Sequence, residues 1–314
     1  LIIGVGAPTR VLAYGDDAIA DAASIIADGG IVAVPTETVY GLAGDATSPR
    51  AVAAIYAAKG RPDFNPLIVH VRDLDHAHEI GQFDAESAAL ARTWWPGPLT
   101  LVVPVRSGAG LARGVTAGLS TVALRAPAHR AMRALLDVTG KPLAAPSANA
   151  SGTISPTRAG HVLHSLDGRI PLVIDDGATQ GGIESTIVAV SDGQVRLLRS
   201  GPIVIEHAVF GDGANIEAPG QLAAHYAPSK PLRIDASSAD PDEWHIGFGT
   251  VTGDATLSAT GDLAEAASLL FDLLHRADAA PSRRIAVAPV PHTGIGIAIN
   301  DRLRRAVVGS GERA

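Results

Sequence analysis

Apolar positions along the chain alternate between helical and extended periods. Over residues 18–28, Ile19, Ala22, Ala23, Ile25 and Ile26 recur at the spacing of one helix face, and Gly29-Gly30 stops the pattern. Residues 31–34 are an unbroken apolar run ending at Pro35, which predicts a short buried strand. Ser48-Pro49 sets a capping hydroxyl before proline at the first helical position, predicting a helix that ends near Gly60. Further strands are predicted at 67–71, 99–105, 121–124, 143–145, 172–175, 186–190 and 195–198, with helices at 85–92, 130–138 and 158–163. This alternation predicts an α/β domain. Its last strands follow one another closely, so the sheet is expected to be mixed.

The periodicity weakens after Gly201-Pro202. Gly211, Gly213, Pro219, Gly220, Pro228 and Pro231 give residues 211–231 a linker composition, stiffened by its prolines. Beyond them, strands at 244–248 and 284–288 and helices at 263–276 and 297–307 form a second, smaller β/α set, Rossmann-like in pattern. The predicted division is a first domain over 1–210, a linker over 211–231 and an accessory domain over 232–314.

Composition narrows the chemistry. The 314 residues include no cysteine, which excludes disulfides, thiol nucleophiles and thiolate metal sites. A formal net charge of −7 offers no overall positive field for nucleic acid, and 4% aromatic residues offer few stacking platforms. The apolar runs are too short to span a membrane, and the opening Leu1-Ile2-Ile3-Gly4 has no basic leader, so a cytoplasmic protein is expected. The only lysines, Lys59, Lys141 and Lys230, precede Gly60, Pro142 and Pro231, so no Walker loop is present. There is also no complete G-x-G-x-x-G, G-x-S-x-G, S-x-x-K or H-E-x-x-H pattern. His161 and His164 stand one turn apart but read better as solvated helix histidines than as metal ligands.

The informative residues lie in loops at strand ends. They are Pro35-Thr36-Glu37-Thr38-Val39-Tyr40-Gly41-Leu42, Lys59-Gly60-Arg61-Pro62, Asn65-Pro66-Leu67-Ile68-Val69-His70 and Trp94-Trp95-Pro96-Gly97-Pro98. Two more follow, Ala145-Pro146-Ser147-Ala148-Asn149-Ala150-Ser151-Gly152 and Glu184-Ser185-Thr186. Together and in this order, from about residue 18 to 202, they resemble the YrdC-type threonylcarbamoyl-AMP synthases. His225-Tyr226-Ala227-Pro228 and Asn300-Asp301-Arg302-Leu303 extend the resemblance to the two-domain version of that family.

The resemblance implies a YrdC-like twisted open mixed sheet with a concave basic cleft, joined to a smaller Rossmann-like domain. It implies synthesis of threonylcarbamoyl-AMP from L-threonine, bicarbonate or carbon dioxide and ATP, with release of pyrophosphate, for threonylcarbamoyladenosine in tRNA. Negative charge gathers on phosphate during that transfer, and Lys59 and Arg61 are the expected catalytic cations. Arg61, Asn65, Thr121, Asn149, Thr157, Arg199, His225 and Tyr226 are expected on the ATP side. Thr38, His70, Arg125, Ser147 and Ser185 are expected on the threonine side, where Arg125 suits a carboxylate. The linker is expected to cross the nucleotide site, and Trp94 and Trp95 to be core or cleft-wall aromatics. Magnesium is expected with ATP, and no tightly bound cofactor. The implied partner is a separate tRNA threonylcarbamoyl transferase; direct tRNA binding is possible but not required. Two rival readings remain, an RNA-binding module of this fold and a carbamoyl-adenylate-forming enzyme of this fold.

Overall fold

The computed structural model describes residues 8–191, 193–210, 217–220 and 224–311. The helix start predicted at Ser48-Pro49 is built as the sequence suggests. Ser48 Oγ accepts the Ala51 N–H and Pro49 opens α2 (Pro49–Lys59), which Gly60 closes at φ 59°. Helix α1 (Asp16–Ala27) puts Ile19, Ala22 and Ile26 on its buried face. The other helices of the first unit are α3 (Leu74–His78), α4 (Ala85–Trp94), α5 (Arg130–Thr139) and α6 (Ala159–Leu166).

Eleven strands form one sheet: β1 (Arg10–Ala13), β2 (Val32–Pro35), β3 (Tyr40–Asp45), β4 (Ile68–His70), β5 (Leu99–Pro104), β6 (Thr121–Arg125), β7 (Leu143–Ala144), β8 (Leu172–Asp175), β9 (Thr186–Ser191), β10 (Gln194–Arg199) and β11 (Val209–Phe210). Their order is β1-β8-β2-β3-β7-β4-β6-β5-β9-β10-β11. Pairing is mixed, as expected: β4 with β6 and β5 with β9 are parallel, while β2 with β3, β5 with β6 and β9 with β10 are antiparallel.

Strand β3 is not predicted by the sequence pattern, which reads Tyr40-Gly41-Leu42 as part of a loop. Gly41 and Gly44 mask its alternation, yet each has a packing reason. A Cβ on Gly44 would crowd Ile31 and Ala51, and Gly41 bridges Ser147.

Alternate residues of the sheet enter different cores. Val32 and Val34 pack with α1 and α5, whereas Ala33 and Leu42 face the larger core that contains Val52 and Ile55 of α2 and Val162 of α6. On the opposite face of the β4-β6-β5-β9-β10 half, Ile68, Val102, Ala123, Ile187, Ala189 and Leu198 form a small apolar floor. It is joined there by Ala218, which belongs to the linker.

The second unit is a parallel sheet, ordered β12-β15-β13-β14, of β12 (Leu232–Arg233), β13 (Glu243–Gly247), β14 (Ala255–Thr256) and β15 (Arg284–Val287). Helices α7 (Leu263–Ala279) and α8 (Gly296–Gly311) pack with it. Its core continues into the first unit, because Val39, Ile154 and Ile183 share one cluster with Phe271 and Leu303. Linker residues 211–216 and 221–223 lie outside the described residues, as does the Leu1-Ile2-Ile3-Gly4 opening.

Candidate active site

Parallel strands β4 and β6 end side by side with His70 and Arg125 in register. The carboxyl ends of parallel strands leave a crevice where ligands commonly bind. The Arg125 guanidinium is buried and aimed by three acceptors. Its Nε donates to the Gly97 carbonyl (3.3 Å), Nη1 to Thr38 Oγ1 (3.0 Å) and Nη2 to Glu37 Oε1 (2.6 Å). Glu37 Oε2 in turn accepts the N–H groups of Ala128 and His129. Burial alone would raise the Glu37 carboxyl, but the Arg125 charge and these bonds hold it below the usual carboxylate range. Thr36 folds the turn that presents Thr38, its hydroxyl accepting the N–H groups of Thr38 and Val39.

His70 is buried beside Arg125, and neither ring nitrogen has a hydrogen-bond partner. Burial and then the Arg125 charge push its pKa down to about 3, so the ring is neutral at physiological pH. Buried polar atoms of this kind ordinarily have partners, and His70 lines a cleft.

Lys59 supports the opposite wall from below. Its Nζ donates to the carbonyls of Ser147 (2.6 Å) and Asn149 (2.5 Å), fixing the loop after β7 so that Ser147 faces the cleft. Burial, and then the Arg61 charge, lower its pKa well below that of a free lysine. Arg61 itself lines the cleft, braced by Asn65 Oδ1 (2.6 Å) and the Pro66 carbonyl (2.8 Å), while Asn65 Nδ2 is buried without a partner. Arg199, at the end of β10, donates to the Ser185 carbonyl and to Ser185 Oγ, both at 3.0 Å. Ser185 Oγ also meets Thr100 Oγ1 at 2.8 Å. A chain of net charge −7 thus gathers Lys59, Arg61, Arg125 and Arg199 around one cleft.

Pro219, Gly220, His225 and Tyr226 close its outer side and leave a cavity of about 40 Å³. Tyr226 has φ 64°, left-handed backbone that a bulky residue adopts at a cost of about 1–3 kcal/mol. His225 Nδ1 and Tyr226 Oη are buried and unpartnered.

Of the expected site residues, Thr38, Arg61, His70, Arg125, Ser147, Ser185, Arg199, His225 and Tyr226 line this cleft. Lys59, Asn65 and Asn149 stand directly behind it. Thr121 and Thr157 do not line it. Thr121 starts β6, on the same sheet face as Ala123 of the apolar floor, at the strand end away from Arg125. Thr157 is buried before α6, and its N–H donates to His161 Nδ1 (3.2 Å).

The expectation of solvated histidines fails for His161, which is half-buried and stacks on His275 of α7 with ring centroids 3.8 Å apart. Trp95 donates to the Leu99 carbonyl and packs against Phe83, away from the cleft. Three charged groups that the sequence pattern does not single out, Glu37, Glu184 and Arg302, stand within the loop and helix motifs, but only the fold reveals their pairings.

Comparison with known proteins adds an independent line. A family described as telomere recombination matches residues 24–201, and the C-terminal domain of threonylcarbamoyl-AMP synthase matches residues 183–307. A Bacillus subtilis protein named threonylcarbamoyl-AMP synthase is 38% identical, with 96% of each chain covered. A Pyrococcus abyssi protein of the same name is 36% identical, covering 91% of this chain and 92% of its own. The crystal structure of P. abyssi Sua5 complexed with L-threonine superposes with a TM-score of 0.88 at 34% identity, over 96% of this chain and 98% of that one. The structure of E. coli YciO, at 19% identity and a TM-score of 0.58 over 64% of this chain, shares the fold of the first unit.

Proposed function

The chain belongs to the threonylcarbamoyl-AMP synthase family, and from that premise we propose how its cleft performs the reaction. The substrates are L-threonine, bicarbonate or carbon dioxide, and ATP. The threonine nitrogen bonds to the carbon of carbon dioxide and loses a proton, giving a carbamate. A carbamate oxygen then attacks the α-phosphorus, the bond from that phosphorus to the β-phosphate oxygen breaks, and pyrophosphate leaves. The observation that carries this reading is the buried Arg125–His70 pair facing Arg61 and Arg199 across one crevice. An amino acid needs a fork for its carboxylate and neutral polar groups for its amine and hydroxyl. Arg125 offers the first. Neutral His70, Thr38, Ser147 and Ser185 offer the second.

Arg61 and Arg199 stabilise the charge that builds on phosphate, with Lys59 fixing the loop beside them. Asn65 and Asn149 brace that side, and the nucleoside extends over the apolar floor toward Thr121. Glu37 and Glu184, the carboxylates nearest the cleft, are each paired with an arginine. Among the described residues no cluster of three His, Asp or Glu side chains could hold a metal ion. Magnesium is usually held by one or two carboxylates together with substrate phosphates, and the ion is proposed to arrive on the ATP phosphates.

A cavity of about 40 Å³ is far smaller than the few hundred Å³ of an ordinary ligand site. His225 and Tyr226 must therefore move outward to admit ATP and can then return over it. Such a cover would keep water from a labile carbamate and its mixed anhydride. No helix among the described residues is long and apolar enough to cross a membrane, and a cytoplasmic setting is proposed. The product would pass to a separate transferase acting on tRNA.

The test is incubation with ATP, threonine, bicarbonate and magnesium, following pyrophosphate and identifying the product by mass. Release that needs both threonine and bicarbonate is expected. Release indifferent to either would overturn the reading.

A further inference from the structure

Helix α8 belongs to the accessory unit, yet one of its faces lies directly under the cover of the active site. Arg302, Arg305 and Gly309 are spaced three and four apart, so they share that face. The Arg302 guanidinium lies over the Tyr226 ring at 5.2 Å. The Arg305 carbonyl accepts the His225 N–H at 3.3 Å. At Gly309 the absence of a side chain makes room for Ala227, whose Cβ would lie 2.7 Å from a Cβ added there.

The same arginine crosses to the catalytic sheet. Its Nε donates to Glu184 Oε2 (2.8 Å) and its Nη2 to the Ser200 carbonyl (2.9 Å), while Asp301 holds Nη1 (2.8 Å). Glu184 precedes Ser185 and also accepts the Ser155 hydroxyl. Arg302 is fully buried, an expensive place for a charge that serves only a surface helix. Tyr226, meanwhile, keeps a strained left-handed backbone, which persists only where surroundings over-determine it. Its Oη and His225 Nδ1 stay unpartnered on the cleft side.

We propose that this face of α8 is the seat that sets the His225-Tyr226 pair over the cleft, with Arg302 as a positioning residue tying the seat to Glu184. The inference rests on the active-site reading above and goes beyond it by giving the accessory domain a task in nucleotide retention. Rotation or displacement of α8 would lift Tyr226 from the phosphate side while leaving the threonine side, built on β4 and β6, in place.

Two full-length variants test it. Gly309→Val pushes Ala227 off the seat without touching a charge. Arg302→Lys keeps a cation for Glu184 but removes the flat surface under Tyr226. Each is expected to raise the KM for ATP about tenfold while the KM for threonine stays within about twofold. Each is also expected to speed chymotryptic cleavage after Tyr226, read by fragment mass, at least about fivefold over the wild type. Variants that melt within a few degrees of wild type yet keep both the ATP KM and the resistance to cleavage overturn the proposal. So does an equal rise in both KM values, which would mean general loosening. Should Gly309→Val fail to fold, Arg302→Lys carries the same two readouts. Failure of the wild type to show threonine-dependent turnover would sink the active-site reading instead, and the cleavage assay would still judge the seat.

Discussion

Lys59 and Arg61 are two residues apart but stand differently in the site. Arg61 faces the cleft, whereas Lys59 is the donor that holds two loop carbonyls behind it. Arg61→Ala is expected to lower kcat about 10²–10³-fold, the loss of about 3–4 kcal/mol typical of a removed electrostatic stabiliser. Lys59→Ala should slow turnover similarly and also lower the melting temperature. It strands the Ser147 and Asn149 carbonyls, and an unmade buried bond costs about 1–3 kcal/mol. Steady-state kinetics beside thermal unfolding separates the two; equal melting temperatures would argue against the supporting role of Lys59. Arg125→Lys should raise the KM for threonine far more than that for ATP, because lysine lacks the planar guanidinium fork that grips a carboxylate. Equal changes in both constants would reduce Arg125 to a structural ion pair.

At the scale of elements, α7 and the loop before β9 make a close join between the two units. Gly182 sits at φ 68°, and a Cβ there would come within 2.3 Å of the Ala267 carbonyl oxygen and 2.4 Å of Ser268 Cα. Helix backbone cannot yield as a side-chain tip can. Gly182→Ala is therefore expected to lower the melting temperature by several degrees, equivalent to roughly 1–3 kcal/mol of overpacking. Gly160→Ala is the contrasting case. Gly160 is on the exposed side of α6 with nothing within 4 Å of an added Cβ, so alanine should stabilise by about 0.5–1 kcal/mol. Thermal unfolding of the pair decides; the same sign for both would mean that α7 is free to back away. These joins were not legible beforehand. The helix caps at Ser48 and Gly60 were, because a cap is set by neighbours in sequence.

The whole molecule should lose stability toward acid in a predictable window. Burial lowers the pKa of His70 and His275 to about 3 and of His161 to about 4, and that of His225 well below the usual 6.5. An unfolded chain binds protons at these rings near pH 6.5, while the folded one refuses them until much lower pH. More protons on the unfolded state means that stability falls as pH drops from about 6.5 toward 4. Each of the rings of His70, His161 and His275 held neutral would contribute a loss of about 1.6 kcal/mol at most between pH 6.5 and 5. Glu37 and Glu184, held below their usual range, add a loss of the same sign at lower pH as each becomes protonated. The stacked His161–His275 pair bridges the two units, with Asp272, Arg158 and His164 around it. His275→Gln, which can still donate to the Ser155 carbonyl, should flatten the melting-temperature profile between pH 7 and 5. An unchanged slope would show that this pair does not contribute.

Local features of the sequence determined the α/β alternation, the helix caps and the linker composition, through periodicity, a capping pair and Gly/Pro content. The residues of the cleft were singled out by the family resemblance that the loop motifs carry together, not by any one local pattern. The tertiary structure decided which charges meet. Glu37 pairs with Arg125, and Glu184 with Arg302, across separations no local pattern encodes. It also made Tyr40–Asp45 a strand, because Gly41 and Gly44 hide the usual alternation while allowing close approach by Ser147 and Ile31. His161 became a stacked partner of His275 because α7 docks there, not because of anything on its own helix. The linker's prolines suggest a directed path. The seat of that path on α8 depends on a buried arginine and one missing side chain, Arg302 and Gly309, whose meaning exists only once two domains are packed together.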